Sequence, residues 1–138
     1  MPVRTVAVGP RAASGGSGTP HPFVTRILLE GTLDASQDVL DNRYSFPGAV
    51  TITRWHIQKK GAAHTADVVI DLLVSTDGGA SFSSIFDSGD EVRLPAGDTE
   101  AAGTAFLTAS FALDHKLRVD VLQGGGDDYE IYLKGTWD

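Results

Sequence analysis

ADVVIDLLVSTDGGASFSSIF, residues 66–86, reads as two β-strands joined by a tight turn. Val68, Ile70, Leu72 and Val74 recur at period two and so share one face. Asp71 and Ser75 are among the residues facing the other way. Asp77-Gly78-Gly79 follows, and Asp-Gly supplies the positive-φ residues that a short hairpin turn requires. Ser81 to Phe86 then returns as the partner strand, with Phe82 able to fold back over the turn. The turn itself, Ser75 to Phe82, is similar to the Asp-box hairpin Ser-x-Asp-x-Gly-x-Thr-Trp, with Ser and Phe in the last two places. Its expected role is structural, the Asp77 carboxylate accepting turn N–H groups around Gly78, Gly79 and Ser81.

Outward from the hairpin, the chain keeps the same character. Val50–Gln58 is a β-branched strand carrying Trp55, and Phe23–Glu30 is another. Tyr44–Gly48 reads as an irregular corner, while 31–42 fits either a strand and turn or one helical turn, with strand and loop preferred. Residues 87–98 form a polar loop anchored only by Val92 and Leu94. Thr104–Phe111, Asp114–Gln123 and Tyr129–Trp137 complete the strands, the last with Tyr129, Ile131, Leu133 and Trp137 on one face. The pattern predicts an all-β antiparallel sandwich of jelly-roll type with seven to eight strands.

At 138 residues the chain is one domain, large enough for a core of its own. It contains no Cys, which excludes disulfide and thiolate-metal frameworks. No apolar run approaches membrane-spanning length and no signal-peptide core is present, so an intracellular start and no membrane partner are expected. The net charge of −7 argues against nucleic-acid binding, which wants a basic face.

That charge is uneven. No acidic residue precedes Glu30, and Arg4, Arg11 and Arg26 make the first 29 residues cationic. The remainder holds eight Lys/Arg against eighteen Asp/Glu, a balance of −10. Val3–Val8 alternates well enough for one short strand, and nine of the fourteen residues in Gly9–Pro22 are Gly, Pro or Ser. Residues 1–22 are therefore expected to be an extended arm, mobile when alone, on a sandwich of residues 23–138. Val3, Arg4, Val6, Val8 and Arg11 are its expected partner-binding residues, able to add a strand to a neighbour's exposed edge.

Signals for chemistry are thin. His21, His56, His64 and His115 share no metal-ligand spacing on one element, and His56 beside Trp55 fits a structural histidine. There is no nucleophile elbow, zinc-protease pair or phosphate loop, and Gly124–Gly126 reads as a hairpin loop. Carboxylates gather at Asp87, Asp90 and Glu91 and at Asp127, Asp128 and Glu130. Either set could seed a weak Ca²⁺ site, but solvated loop charge is far commoner than a cage of six to eight oxygens. No enzyme, cofactor or metal is expected.

Across Ala66–Trp137 three motifs recur together: the Val69–Phe86 hairpin around Asp71 and Asp77-Gly78-Gly79, the Leu94-Pro95-Ala96-Gly97 loop, and Asp114–Gly124 before the final strand. This half of the chain resembles a group of small β-sandwich virion accessory proteins of tailed bacteriophages. The resemblance implies a non-enzymatic virion structural protein, assembled in the host cytoplasm. Such proteins serve as head decoration or cement, or as tail and fibre components. With the basic arm, a capsid decoration protein is the first expectation: one that binds the outer head surface and stabilises the shell. Its partners would be the major capsid protein or another virion protein, and further copies of itself in a homotrimer. The alternative is a tail- or fibre-associated sandwich binding a receptor or carbohydrate, with Trp55, Trp137 or Tyr132 stacking on sugars. Core burial of those three rings is the simpler expectation.

Overall fold

A computed structural model describes residues 4–8 (as backbone), 21–33 and 44–138. These form eleven strands and no helix: β1 (Arg4–Val8), β2 (Pro22–Thr32), β3 (Tyr44–Ser45), β4 (Val50–Lys59), β5 (Val68–Ser75), β6 (Ser83–Ser84), β7 (Val92–Leu94), β8 (Glu100–Gly103), β9 (Ser110–Phe111), β10 (Lys116–Gln123) and β11 (Asp127–Trp137). The pairing is nested. β2 pairs with β11, β3 with β10, β4 with β8 and β9, and β5 with β6 and β7, all antiparallel. Nesting of this kind rolls one long antiparallel hairpin into a two-sheet jelly roll. One sheet runs β1-β2-β11-β4-β8 with β9 also on β4; the other runs β3-β10-β5-β6 with β7 also on β5.

Period-two alternation fills the space between the sheets. β2 contributes Phe23, Ile27 and Leu29, β11 contributes Tyr129, Ile131 and Leu133, and β4 contributes Val50, Ile52, Trp55 and Ile57. Facing them are Val68, Ile70, Leu72 and Val74 of β5 and Leu117, Val119 and Val121 of β10. Each such side chain stabilises the fold by about 1.5–3 kcal/mol relative to exposure. The step of three from Ile52 to Trp55 breaks the alternation, because β4 carries a bulge opposite Lys134 and Gly135 of β11. A Cβ on Gly135 would stand 1.9 Å from the Thr51 carbonyl oxygen, so only glycine fits that seam.

The strand count exceeds seven to eight because several ladders are only two to four residues long. The central hairpin is looser than a tight turn, since its ladder is limited to Leu73–Ser84 and Val74–Ser83 and leaves residues 76–82 as loop. Ser75 is buried instead of facing out. Most of the strand expected at 104–111 is replaced by a crossover. Leu107 and Thr108 N–H both donate to the Ile85 carbonyl (2.9 and 3.2 Å), which pulls that segment toward β6 and leaves only β9 on β4. The polar loop 87–98 carries β7, because Val92 and Leu94 bury completely along the β5 edge. Residues 34–42 of the ambiguous segment lie outside the described residues.

Candidate functional site

The Asp77 turn gathers all the residues expected of it. Ser75 Oγ donates to Asp77 Oδ1 (2.6 Å) and accepts from Gly79 N–H (2.8 Å). Ser81 gives Asp77 both its N–H (2.9 Å) and its hydroxyl (2.5 Å). Gly78 and Gly79 take φ of 77° and 97°, the left-handed region that glycine enters without strain. The Ser75 hydroxyl, then that of Ser81, hold the Asp77 carboxyl well below the usual carboxylate range. The Phe82 ring takes the Arg118 guanidinium at 5.3 Å. The arrangement is a turn closed on itself by its own Ser75, Asp77, Gly79 and Ser81.

The arm strand lies on its own sheet. β1 runs antiparallel along β2, from Arg4 opposite Glu30 to Val8 opposite Arg26, with Val6 opposite Leu28. It is thus the outermost strand of the six-stranded sheet. Val3 and Arg11 lie outside the described residues. Beside the Arg4–Glu30 end, a cavity of about 290 Å³ opens between β2 and β11, with Glu30, Asp128, Glu130, Leu28 and Lys60 in its wall. Asp128 holds the wall together: its carboxylate accepts from Gly31 N–H (2.9 Å) and its carbonyl from Lys60 N–H (3.0 Å). The Tyr129 hydroxyl donates to the Gly125 carbonyl, and burial, with Asp127 nearby, pushes that phenol up to about 12.

Other candidates disperse. His56 Nε2 faces Glu100 at 3.4 Å, His115 Nδ1 accepts from Ala112 N–H, and His64 packs on Gly125. Asp87 and Asp90 are exposed, and Glu91 caps Gly89 N–H at 2.9 Å. No group of three or more His, Asp or Glu that could hold a metal forms among the described residues. Trp55 is 6% exposed and presses its indole on Gly103; half-buried Trp137 meets Phe23 edge-on at 5.5 Å. Tyr132 lies on the outer face of the sheet, half-buried between His56 and Lys134, its hydroxyl donating to Glu130 at 2.7 Å. All eleven aromatic residues are described and none is exposed; among the described residues the exposed large apolar ones are the aliphatic Val24, Leu107, Leu113 and Leu122.

Sequence reasoning missed a carboxylate pair on the opposite sheet. Asp71 of β5 and Asp120 of β10 stand directly opposite in register. Arg118 grips Asp120 with two bonds of 2.9 Å, and Ser84 Oγ donates to Asp71 at 2.5 Å. Desolvation first, then Glu91 and Asp120, raise the Asp71 carboxyl against the Ser84 hydrogen bond. The period-two pattern placed Asp71 outward, but only the β5–β10 register names its neighbour.

No family model and no curated protein matches the chain. Solved structures of similar fold include a chain of the cyanophage Pam1 capsid asymmetric unit, at 16% identity and TM-score 0.46, covering 93% of this chain and 94% of that one. A xylan-binding domain of carbohydrate-binding family 22 is similar at 14% identity and TM-score 0.41, covering 98% and 83%. The N-terminal cellulose-binding domain of Cellulomonas fimi β-1,4-glucanase C is similar at 11% identity and TM-score 0.33, covering 97% and 86%. These likenesses concern fold alone.

Proposed function

We propose that this chain is a non-enzymatic structural protein of a tailed-phage virion, a decoration protein that attaches to the outer head surface through its N-terminal edge. The observation that carries the reading is a cationic strand, set on a Gly/Ser/Pro-rich connection, at the edge of an acidic sandwich. An outermost strand offers an unpaired row of N–H and C=O groups, which a partner's strand can continue. Val3, Arg4, Val6, Val8 and Arg11 are the proposed contacts, with the major capsid protein or another virion protein as partner. Attachment of many copies, grouped as homotrimers, would multiply modest contacts into stable binding.

A glycan-binding role on a tail or fibre would use an open aromatic platform. Trp55 and Trp137 pack inward and Tyr132 is flanked by His56 and Lys134, which favours the decoration reading. Deleting residues 2–20 tests it. The sandwich should stay folded, with a modest fall in melting temperature from exposing the β2 edge, while binding to undecorated particles drops sharply. Replacing Arg4 and Arg11 by Ser should weaken binding less and flatten its salt dependence. Unaltered affinity of the truncated protein would overturn the reading.

A further inference from the structure

We infer that β1 is an exchangeable strand: Arg4–Val8 of one copy can complete the β2 edge of a second copy of this chain. Three observations lead there. The first is how lightly the register holds β1 at home. Against the core row of β2, the fully buried Ile27 and Leu29, β1 sets only Ala7 and Thr5. On the other side of β2, Ile131 and Tyr129 of β11 stand opposite the same two residues and are buried themselves. Small residues in that row have little apolar surface to offer, so backbone hydrogen bonds are the larger part of such a ladder, and those any copy's β2 provides equally.

The second observation is the connection. Val8 stands opposite Arg26, so a chain closing on its own edge must travel back only to Pro22, about 13 Å at roughly 3.3 Å per strand residue. Thirteen residues, 9–21, separate the two strands. Extended, they reach on the order of 45 Å, several times the distance that home pairing needs. The third is charge. Two sandwich bodies, residues 23–138, of balance −9 each (nine Lys/Arg against eighteen Asp/Glu) repel, and the cationic arm passing between them offsets that repulsion where it arrives. It arrives at Glu30, opposite Arg4, beside the cavity whose wall holds Asp128 and Glu130 with one lysine, Lys60.

Home and exchanged ladders contain the same pairs. Their balance is therefore set by concentration against the effective concentration that a tether of this length gives, roughly millimolar. Exchange belongs to crowded conditions, such as copies side by side on a surface, but it does not depend on the virion reading and is tested on the purified protein.

The native chain has no Cys, so engineered thiols report cleanly. Val6→Cys is placed in one copy and Leu28→Cys in another, so that no disulfide can form within a chain. The two are unfolded together, refolded at high concentration and oxidised. The heterodisulfide should form at least about tenfold faster than with Leu122→Cys as partner, an exposed off-register control on the other sheet. Equal rates would overturn the inference. A second variant needs no thiol: deletion of residues 10–20 leaves a connection too short to close on its own edge. That protein should elute as a stable dimer or larger species, and a folded monomer at all concentrations would overturn the inference. Neither readout involves a particle, so failure of exchange and failure of the decoration role are separately visible.

Discussion

Asp71 and Asp77 belong to one hairpin and experience opposite surroundings. Asp77 is fully exposed, yet its carboxyl is lowered, because Ser75 and Ser81 of its own loop donate to it. Asp71 is half-buried and its carboxyl is raised, because burial and the carboxylates of Glu91 and Asp120 oppose its charge. Every partner of Asp77 comes from within a single turn. Apart from the adjacent Leu72 N–H, those of Asp71 come from β6, β10 and the segment before β7. One environment is written locally; the other exists only once distant strands have met. The same division separates the Gly78-Gly79 turn from the Gly135 seam, and substitutions on each side of it should differ in size.

The largest effect should come from the assembled side. Gly135→Ala places a methyl 1.9 Å from the Thr51 carbonyl oxygen and 2.8 Å from Ile52 Cα. All of those atoms are backbone, and they lie at the β4–β11 bulge, so no rotamer change relieves the clash. The cost is about 3 kcal/mol or more, as overpacking against a fixed backbone is at the upper end of core substitutions. A denaturant melt of the variant measures it, and a loss below about 1 kcal/mol would mean that the seam relaxes freely.

Next comes the local side. Gly79→Val forces a β-branched residue to φ 97° and disturbs the N–H that donates to Ser75. Roughly 1–3 kcal/mol should be lost, and less than from the seam, because the loop is exposed and can adjust. A melting temperature equal to that of the parent would show that the turn contributes nothing to stability.

The ordering explains what could be read in advance. Asp77, Gly78, Gly79 and Ser81 were legible because turn chemistry acts between residues a few positions apart. The alternation of Val68, Ile70, Leu72 and Val74 was legible because one buried face fixes it, and all four are buried. The jelly-roll type follows from many short strands, but the nesting that defines it is a set of long-range registers no local pattern contains. Nothing in the local sequence singles out Gly135, since its need arises from Thr51 across the sheet. Residues 104–111 alternate like a strand, and the crossover to Ile85 is visible only where that carbonyl takes two donors. Home pairing of β1 was missed for a related reason: the alternation reveals a strand but not whose edge it will meet.

The smallest effect is the sharpest test of the division, because it predicts opposite signs. Asp71→Asn keeps an oxygen to accept from Ser84 Oγ and removes the charge facing Asp120 and Glu91. At neutral pH it should raise stability, by roughly 0.2–1 kcal/mol for a directly opposed pair, toward the lower end because solvent screens a half-exposed site. Asp77→Asn should lower stability at neutral pH, since the Ser75 and Ser81 donors lose the charge they favour. Near pH 3 acid should erase the Asp71 difference but only begin to reduce that of Asp77. The raised carboxyl of Asp71 costs the fold nothing below the ordinary aspartate value of 3.8, where folded and unfolded chains are both protonated, and its cost appears as pH rises through that value toward the folded one. The lowered carboxyl of Asp77 contributes fully above 3.8, and that contribution is lost as pH falls from there toward its folded value. Thermal melts of both variants and the parent at neutral pH and near pH 3 measure the four differences. Shifts of the same sign at neutral pH would break the division between locally written and assembled carboxylates.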